Sequence, residues 1–277
     1  MCSNCMGVCS DLISLRPGVA VKLVAKDAFR EQEGAALQEF NGGPLFPQFY
    51  GRFSTDQDVG LVVQQMDGSL QEMLETRRMD VESRCEVLFR LAVSLAKVHS
   101  TGWSNGNLTP QTIMFHAESN KVCMTSWGMA QFHRAFADPS TAFTTFPGGS
   151  PTSCVNILYR APELLDGLPQ IPTEPIPGQH PQQKADVFSM GCVFFYLLTG
   201  RHLLACLQAE ACDSAGVIQG LDRGTYIDLL PPDCEPSLRD LLFGMLSPAP
   251  QHRLSALDVL DSDFMNLWRG SSTGDAM

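Results

Sequence analysis

VHSTGWSNGNLTPQTIMFHAESNKVCMTSWGMA, from Val98 to Ala130, joins the end of an amphipathic helix to a polar loop and then to a glycine-containing turn. The helix is read over residues 81–99, where Val81, Cys85, Leu88, Leu91, Ala92, Leu95 and Val98 recur at three and four. Leu108, Pro110, Ile113 and Gly128 are apolar or turn-forming and set the shape of the loop and the turn. The polar positions among them are Asn107, Thr109, Thr112 and Ser126, and none is a carboxylate. An amide holds a hydroxyl by a hydrogen bond but takes up no proton at neutral pH. A Ser or Thr hydroxyl offers a metal ion no formal charge, whereas Mg²⁺ is usually held through one or two carboxylates.

The chain around this stretch has 277 residues, enough for one large domain or two closely joined lobes. With 44% hydrophobic and 18% charged residues it can bury a sizeable core. A formal charge of -11 argues against a nucleic-acid surface, which would need clustered Lys and Arg, and against adhesion to an anionic membrane. No apolar run is long enough for a spanning helix, and the N-terminus lacks a basic start followed by an apolar block. Ten cysteines without such a leader read as reduced thiols of a cytoplasmic or nuclear protein. Cys2, Cys5 and Cys9 form one tight group, read as free thiols because no further Cys or His stands near to complete a metal site; palmitoylation is the alternative.

Upstream, residues 17–26 (PGVAVKLVAK) read as a turn and a β-branched strand, and 27–40 as a helix with Phe29, Ala36, Leu37 and Phe40 to one side. Residues 49–66 read as two strands around a polar turn, and Asp67 or Ser69 caps the helix after them. Downstream come Tyr159-Arg160-Ala161-Pro162-Glu163-Leu164-Leu165, then KADVFSMGCVFFYLLTG at 184–200 and SLRDLLFGMLSPAPQHRLSALDVL at 237–260. Between the first two blocks, residues 166–184 hold Pro169, Pro172, Pro175, Pro177 and Pro181, which reads as an exposed loop and a candidate partner site.

These blocks, in this order, resemble the protein kinase superfamily. Asn105 to Thr112 stands where the family has HRDLKPxN, Ser126-Trp127-Gly128 where it has DFG, Val19-Ala20-Val21-Lys22 where it has VAIK, and Ala161-Pro162-Glu163 where it has APE. The block DVFSMGCVFFYLLTG and the stretch GSLQEMLE also resemble the kinase domain of the inositol-requiring sensor of the unfolded-protein response.

The resemblance implies roles. Lys22 would meet nucleotide phosphates and Glu33 would pair with it; Glu31 is an alternative partner, and a solvated helix face is the other reading of both acids. Val63 would line the back of the adenine pocket, ahead of a hinge at Gln64–Gly68. Glu163 and Arg253 would form a buried ion pair, and Asp186 would accept hydrogen bonds from the loop backbone. Asn107 replaces the catalytic aspartate, Thr109 the loop lysine, Thr112 the second metal-binding residue and Ser126 the turn aspartate. Gly106 replaces the arginine that would receive an activation-segment phosphate, so Thr141, Thr144, Thr145, Ser150, Thr152 and Ser153 read as ordinary loop hydroxyls. Gly7 would be the last glycine of a phosphate loop whose earlier glycines fall on Cys2 and Asn4, and the strand ahead of that loop is missing.

The expected fold is therefore α+β, a bilobal kinase-like fold. A truncated N-terminal β-lobe covers 1–66, a mainly helical lobe covers 67–268, and a frayed tail covers 269–277. The expected function is that of a pseudokinase, a protein-binding scaffold or allosteric regulator. It needs no cofactor, leaves room for ATP, does not depend on Mg²⁺ and has no metal site. One alternative is a Ser/Thr-type protein kinase with weak or unconventional ATP-dependent phosphotransfer, drawing a carboxylate from Asp138 or Glu118. Another is a piece of a longer family member.

Overall fold

The computed structural model describes residues 12–76, 79–132, 157–165, 180–210 and 214–272. It opens with an antiparallel sheet of β1 (Leu12–Arg16), β2 (Val19–Ala25), β3 (Phe49–Ser54) and β4 (Asp58–Gln64), in the order β1-β2-β4-β3. Pro17-Gly18 turns β1 into β2, and Gly18 takes φ +81°, a conformation that glycine adopts without steric cost. The register sets Ala20 opposite Val63 and Lys22 opposite Leu61. Strand side chains alternate between faces, so these four share one face of the sheet. One helix, α1 (Glu31–Glu39), packs beside the sheet with Ala36 and Leu37 buried.

This helix starts later than its apolar pattern predicts. The N–H groups of Ala28 and Phe29 both donate to Ala25 O, which closes a turn, and Arg30 stays extended at φ -116° before the helix begins. β1 is a strand that the sequence pattern does not assign. The degenerate phosphate loop at Cys2, Asn4 and Gly7, the cysteine group and the strand expected to be missing lie outside the described residues.

The second lobe begins at β5 (Gly68–Ser69) and α2 (Leu70–Thr76). Ser69 N donates to Glu72 Oε2 at 2.8 Å and Glu72 N donates to Ser69 Oγ at 3.2 Å, a reciprocal cap. Helix α3 (Val81–Ser100) is capped by Asp80, which accepts from Ser83 N. Its stripe from Cys85 to Val98 is buried as the three–four spacing predicts, while Val81, at the helix start, is 68% exposed. Short strands then carry the central stretch. β7 (Ile113–His116) and β8 (Lys121–Met124) form a hairpin that pairs with β5, and β6 (Trp103–Ser104) pairs with β9 (Gln131–Phe132).

Helix α4 (Pro181–Thr199) is buried around almost its whole circumference, which makes it the axis of this lobe. Around it stand α5 (Leu203–Glu210), α6 (Ser214–Arg223), α7 (Pro236–Met245), α8 (Ala256–Leu260) and α9 (Asp263–Ser272). The α+β bilobal architecture is the one expected. Two boundaries differ. The proline-rich loop ends at His180, because Pro181 sits in the first turn of α4, where a missing N–H costs nothing. The tail is helical through Ser272, and the Arg269 guanidinium lies 5.5 Å from the Phe89 ring. The remaining loop prolines and the activation-segment hydroxyls from Thr141 to Ser153 lie outside the described residues.

Two imidazoles tie the α4 region together. His180 accepts from Gln182 N as the α4 cap, and His202 hydrogen-bonds the Tyr159 hydroxyl at 2.9 Å and stacks on Tyr196. Burial holds both below the ordinary 6.5. Unfolding returns them to that value, so the unfolded chain takes up protons first as the pH falls. Stability is expected to decline from about pH 6.5 downward and to level off once the folded rings protonate. Thermal midpoints taken across this range in the protein and in His180→Asn, which keeps a capping acceptor, check this. An unchanged slope in the variant would remove His180 from the account.

Candidate functional site

The shared face of β2 and β4 forms the roof of a cavity of about 290 Å³ between the lobes. Ala20, Lys22, Leu61 and Val63 line it from above, the Gln64–Met66 linker closes one side, and Thr112, Met114 and Ser126 line it from below. Helix α1 brings Glu33 to Lys22, Nζ to Oε1 2.5 Å, with the carboxylate only 3% exposed. Glu31 instead pairs with Arg52 on the outer surface at 2.6 Å. Gly128 lies beneath this pair, and a Cβ there would stand 3.4 Å from Glu33 Oε2.

The floor is a set of neutral hydrogen bonds. Asn107 Nδ2 donates to Ser126 Oγ at 3.0 Å, which joins the loop directly to the turn. Thr112 Oγ1 donates to Asn107 O at 2.6 Å, and Thr109 N donates to Thr112 Oγ1 at 3.0 Å. Thr125 Oγ1 donates to Thr112 O at 2.7 Å. Ser126 sits at φ 63°, ψ 63°, a left-handed conformation that costs an L-residue roughly 1–2 kcal/mol and that Asn or Asp tolerate best. The positions of all four altered residues are thus fixed by one another.

Trp127 comes next and is 1% exposed. Its ring stacks on Phe40, just past the end of α1, at 5.1 Å and 23°, with Phe46 and Trp103 also against Phe40. Such a pair is worth about 0.5–1.5 kcal/mol beyond its buried area. The stack holds the turn, α1 and therefore Glu33 as one unit. Sequence reasoning does not find this cluster; its only signal is four aromatic residues with no assigned face.

From below, Asp186 of α4 accepts from Asn105 N and Gly106 N, each at 2.7 Å, and meets His99 Nε2 at 3.1 Å. Gly106 takes φ +75°, and a Cβ added there would come within 2.8 Å of Met129 O. A side chain at this position therefore requires the Met129 backbone to shift. Arg253 donates from Nη1 to Glu163 Oε1 at 2.7 Å and from Nη2 to Glu163 Oε2 at 2.9 Å. Its other N–H groups go to Ser247 O, Lys184 O and Pro248 O, and Lys184 Nζ donates to Arg253 O. The guanidinium is fully buried and fully paired.

The donor set does not fit a divalent cation. At the two positions where a carboxylate and an amide oxygen would be needed, Ser126 and Thr112 offer neutral hydroxyls that are already engaged. Among the described residues no three His, Cys, Asp or Glu side chains are grouped to hold a metal. Glu118 lies in the exposed turn after β7 and does not line the cavity, and Asp138 is outside the described residues. The cavity and Lys22 do fit part of a nucleotide: an apolar slot with one cation at its inner end.

Residues 13–265 match the family described as protein kinase domain. The chain is similar to mitogen-activated protein kinase 15 of Rattus norvegicus, with 27% identity over 286 residues, 89% of this chain and 49% of that protein. CBL-interacting protein kinase 22 of Oryza sativa subsp. japonica is 25% identical over 247 residues, 88% of this chain and 50% of that protein. Serine/threonine-protein kinase/endoribonuclease IRE2 of Homo sapiens is 27% identical over 259 residues, 89% of this chain and 26% of that protein. The chain spans about half the length of the first two relatives and about a quarter of the third.

Proposed function

The chain belongs to the protein kinase family, and from that premise we propose that it is a member without metal-dependent phosphoryl transfer, acting as a protein-binding scaffold or allosteric regulator. The observation that carries this reading is the Asn107–Ser126 hydrogen bond at 3.0 Å. In a phosphotransferase these two places would hold a proton acceptor and a metal ligand, and phosphoryl transfer relies on positioning and charge neutralisation there. Here they hold an amide and a hydroxyl that are hydrogen-bonded to each other. Loss of the general base alone costs about 10²–10⁴ in rate. What the chain keeps is the set of contacts that hold the two lobes in place, which suits recognition of a protein partner. The unpaired thiols of Cys85, Cys123, Cys192, Cys206 and Cys234 suit work in the reducing cytoplasm or nucleus.

One observation favours a second reading, a Ser/Thr kinase of low activity: the Lys22–Glu33 pair is in place. The two readings separate in a transfer assay with labelled ATP and Mg²⁺. Incorporation into the protein itself and into generic Ser/Thr substrates is expected to stay at the level of Lys22→Ala. Incorporation that disappears in Lys22→Ala would establish the second reading. The same logic runs in the other direction. Asn107→Asp with Ser126→Asp places a carboxylate at each position, the second in the left-handed conformation that suits Asp, and Mg²⁺ is expected to tighten ATP binding by at least about ten-fold, or ~1.4 kcal/mol, in that variant only. Equal Mg²⁺ dependence in the unaltered protein would sink the reading.

A further inference from the structure

We infer that the outer face of α7, with the turn and the loop beside it, is a docking surface for a basic amphipathic segment of a partner protein, one whose apolar side chains are flanked by Lys or Arg. The inference rests on the proposal above that the chain works by binding a protein, and it goes further by naming where the partner sits and what it carries.

The centre of the surface is apolar and is laid flat by two glycines. Phe243 on α7 is 46% exposed. A Cβ added to Gly224, which precedes the 3₁₀ turn Thr225–Leu229, would stand 3.1 Å from Phe243 Cδ2 and 3.2 Å from Ile227 Cδ1. The ring therefore lies against bare backbone, with Ile227 beside it. The next residue of α7 repeats the arrangement. A Cβ at Gly244 would come within 2.7 Å of Leu254 Cδ1, and Leu254 N donates to Gly244 O at 3.1 Å. Ile227, Phe243 and Leu254 thus run as one strip from the turn, over α7, to the loop before α8, and Ile227 and Leu254 are only partly buried. A single exposed ring is ordinary, whereas neighbouring apolar side chains with a polar rim mark an interaction site.

The rim is acidic. Asp222 stands two residues before Gly224, Asp228 follows Ile227, and Asp240 lies one turn before Phe243 and Gly244 on the same helix; all three are exposed. The basic side chains on these segments are Arg223, His252 and Arg239. The Arg239 guanidinium is already taken up by the carbonyl oxygens of Cys234, Pro231 and Pro232.

This charge decides the occupant. A nucleic acid or an anionic membrane would bring negative charge to the carboxylates. A second copy docked face to face would set the same acids against one another, since such a contact pairs one patch with itself. A basic amphipathic segment satisfies both parts: its apolar side chains cover the strip, and its cations face Asp222, Asp228 and Asp240, which speeds the encounter and fixes the register.

Fluorescence anisotropy with the full chain tests this. The probe is a labelled amphipathic peptide of Leu and Lys, and its counterpart with Glu at every Lys is the control. The Lys peptide is expected to bind at least about ten-fold more tightly than the Glu peptide, and Phe243→Ser, which removes the anchor and no charge, to weaken it by about ten-fold or more. Asp228→Lys with Asp240→Lys should weaken it by a similar factor and flatten its salt dependence. Leu267→Ser on α9 removes a side chain that is 61% exposed elsewhere on the surface, and should leave the affinity unchanged. Binding that ignores Phe243→Ser, or that Leu267→Ser weakens equally, means that the peptide is held by general charge or general apolar surface, and overturns the inference. So does the absence of binding. A dimer in sedimentation that Phe243→Ser dissolves would make a second copy the occupant and overturns it too. Should Phe243→Ser fail to fold, the charge-reversed variant decides alone, and an unchanged affinity there overturns the inference. Each of these outcomes leaves the loss of phosphoryl transfer standing, whereas Lys22-dependent phosphate incorporation overturns the proposed function itself.

Discussion

Glu163→Ala is expected to lower the unfolding free energy by about 3–5 kcal/mol, because it leaves the Arg253 guanidinium charged and buried without its partner. The side chains of this pair are 0% and 3% exposed, so water cannot take over the missing contacts. The backbone carbonyls of Ser247, Lys184 and Pro248 would still accept from Arg253, but none of them carries a countercharge. Nearby Lys184, itself buried and pushed below its ordinary value by desolvation, adds a second cation to the same region. Denaturant melts of Glu163→Ala, Arg253→Met and the double variant Glu163→Leu/Arg253→Met separate the terms. A double variant more stable than Glu163→Ala alone would show that the single-variant cost is that of an unpaired charge. A Glu163→Ala midpoint at the wild-type value would show that the pair is not the fold's anchor.

Asp186→Ala is expected to cost about 2–6 kcal/mol, reckoned at ~1–3 kcal/mol for each of the two backbone N–H groups it strands. Those N–H groups belong to Asn105, which is fully buried, and to Gly106, and both bonds are 2.7 Å long. His99 loses its partner as well. The loss reaches the floor of the cavity, because Asn105 Oδ1 accepts from Asn107 N and Asn107 holds Ser126. Asp186→Asn retains one acceptor oxygen and should lose less than the alanine variant. Equal losses for the two would mean that the carboxylate acts only by filling space. Melts followed by circular dichroism give both numbers.

How much of the molecule is legible in its sequence depends on the range over which a signal acts. The apolar stripe of α3 and the two strands around residues 55–57 repeat with the period of their element, and the pattern places them to within a residue or two. The pairs Lys22–Glu33 and Glu163–Arg253 join residues far apart in the chain, and only a family resemblance could suggest them; the structure brings each pair together. The start of α1 is misplaced by its pattern because Asp27 to Arg30 are acceptable helix residues, and the competing turn is fixed by Ala25 O, a backbone group with no sequence signature. Pro181 reads as part of its loop because four earlier prolines precede it, although a proline ahead of a long apolar helix also marks a first turn. The direction of each hydroxyl proton on the cavity floor is beyond any motif, since it depends on which carbonyl happens to face it.

The stack of Trp127 on Phe40 gives the protein an internal optical gauge. Of its three tryptophans, Trp127 alone lines the cavity, and Trp103 joins the same aromatic cluster. Both rings are nearly sealed from water, at 1% and 6% exposure, so most of the intrinsic emission comes from indoles in an apolar, rigid setting. Swinging α1 away from the turn would separate Phe40 from Trp127 and admit solvent to the ring. The emission would then shift to the red without any change at Trp268. The contact that fixes Glu33 against Lys22 is therefore also the contact whose rupture the protein would report in its own fluorescence, with no label attached.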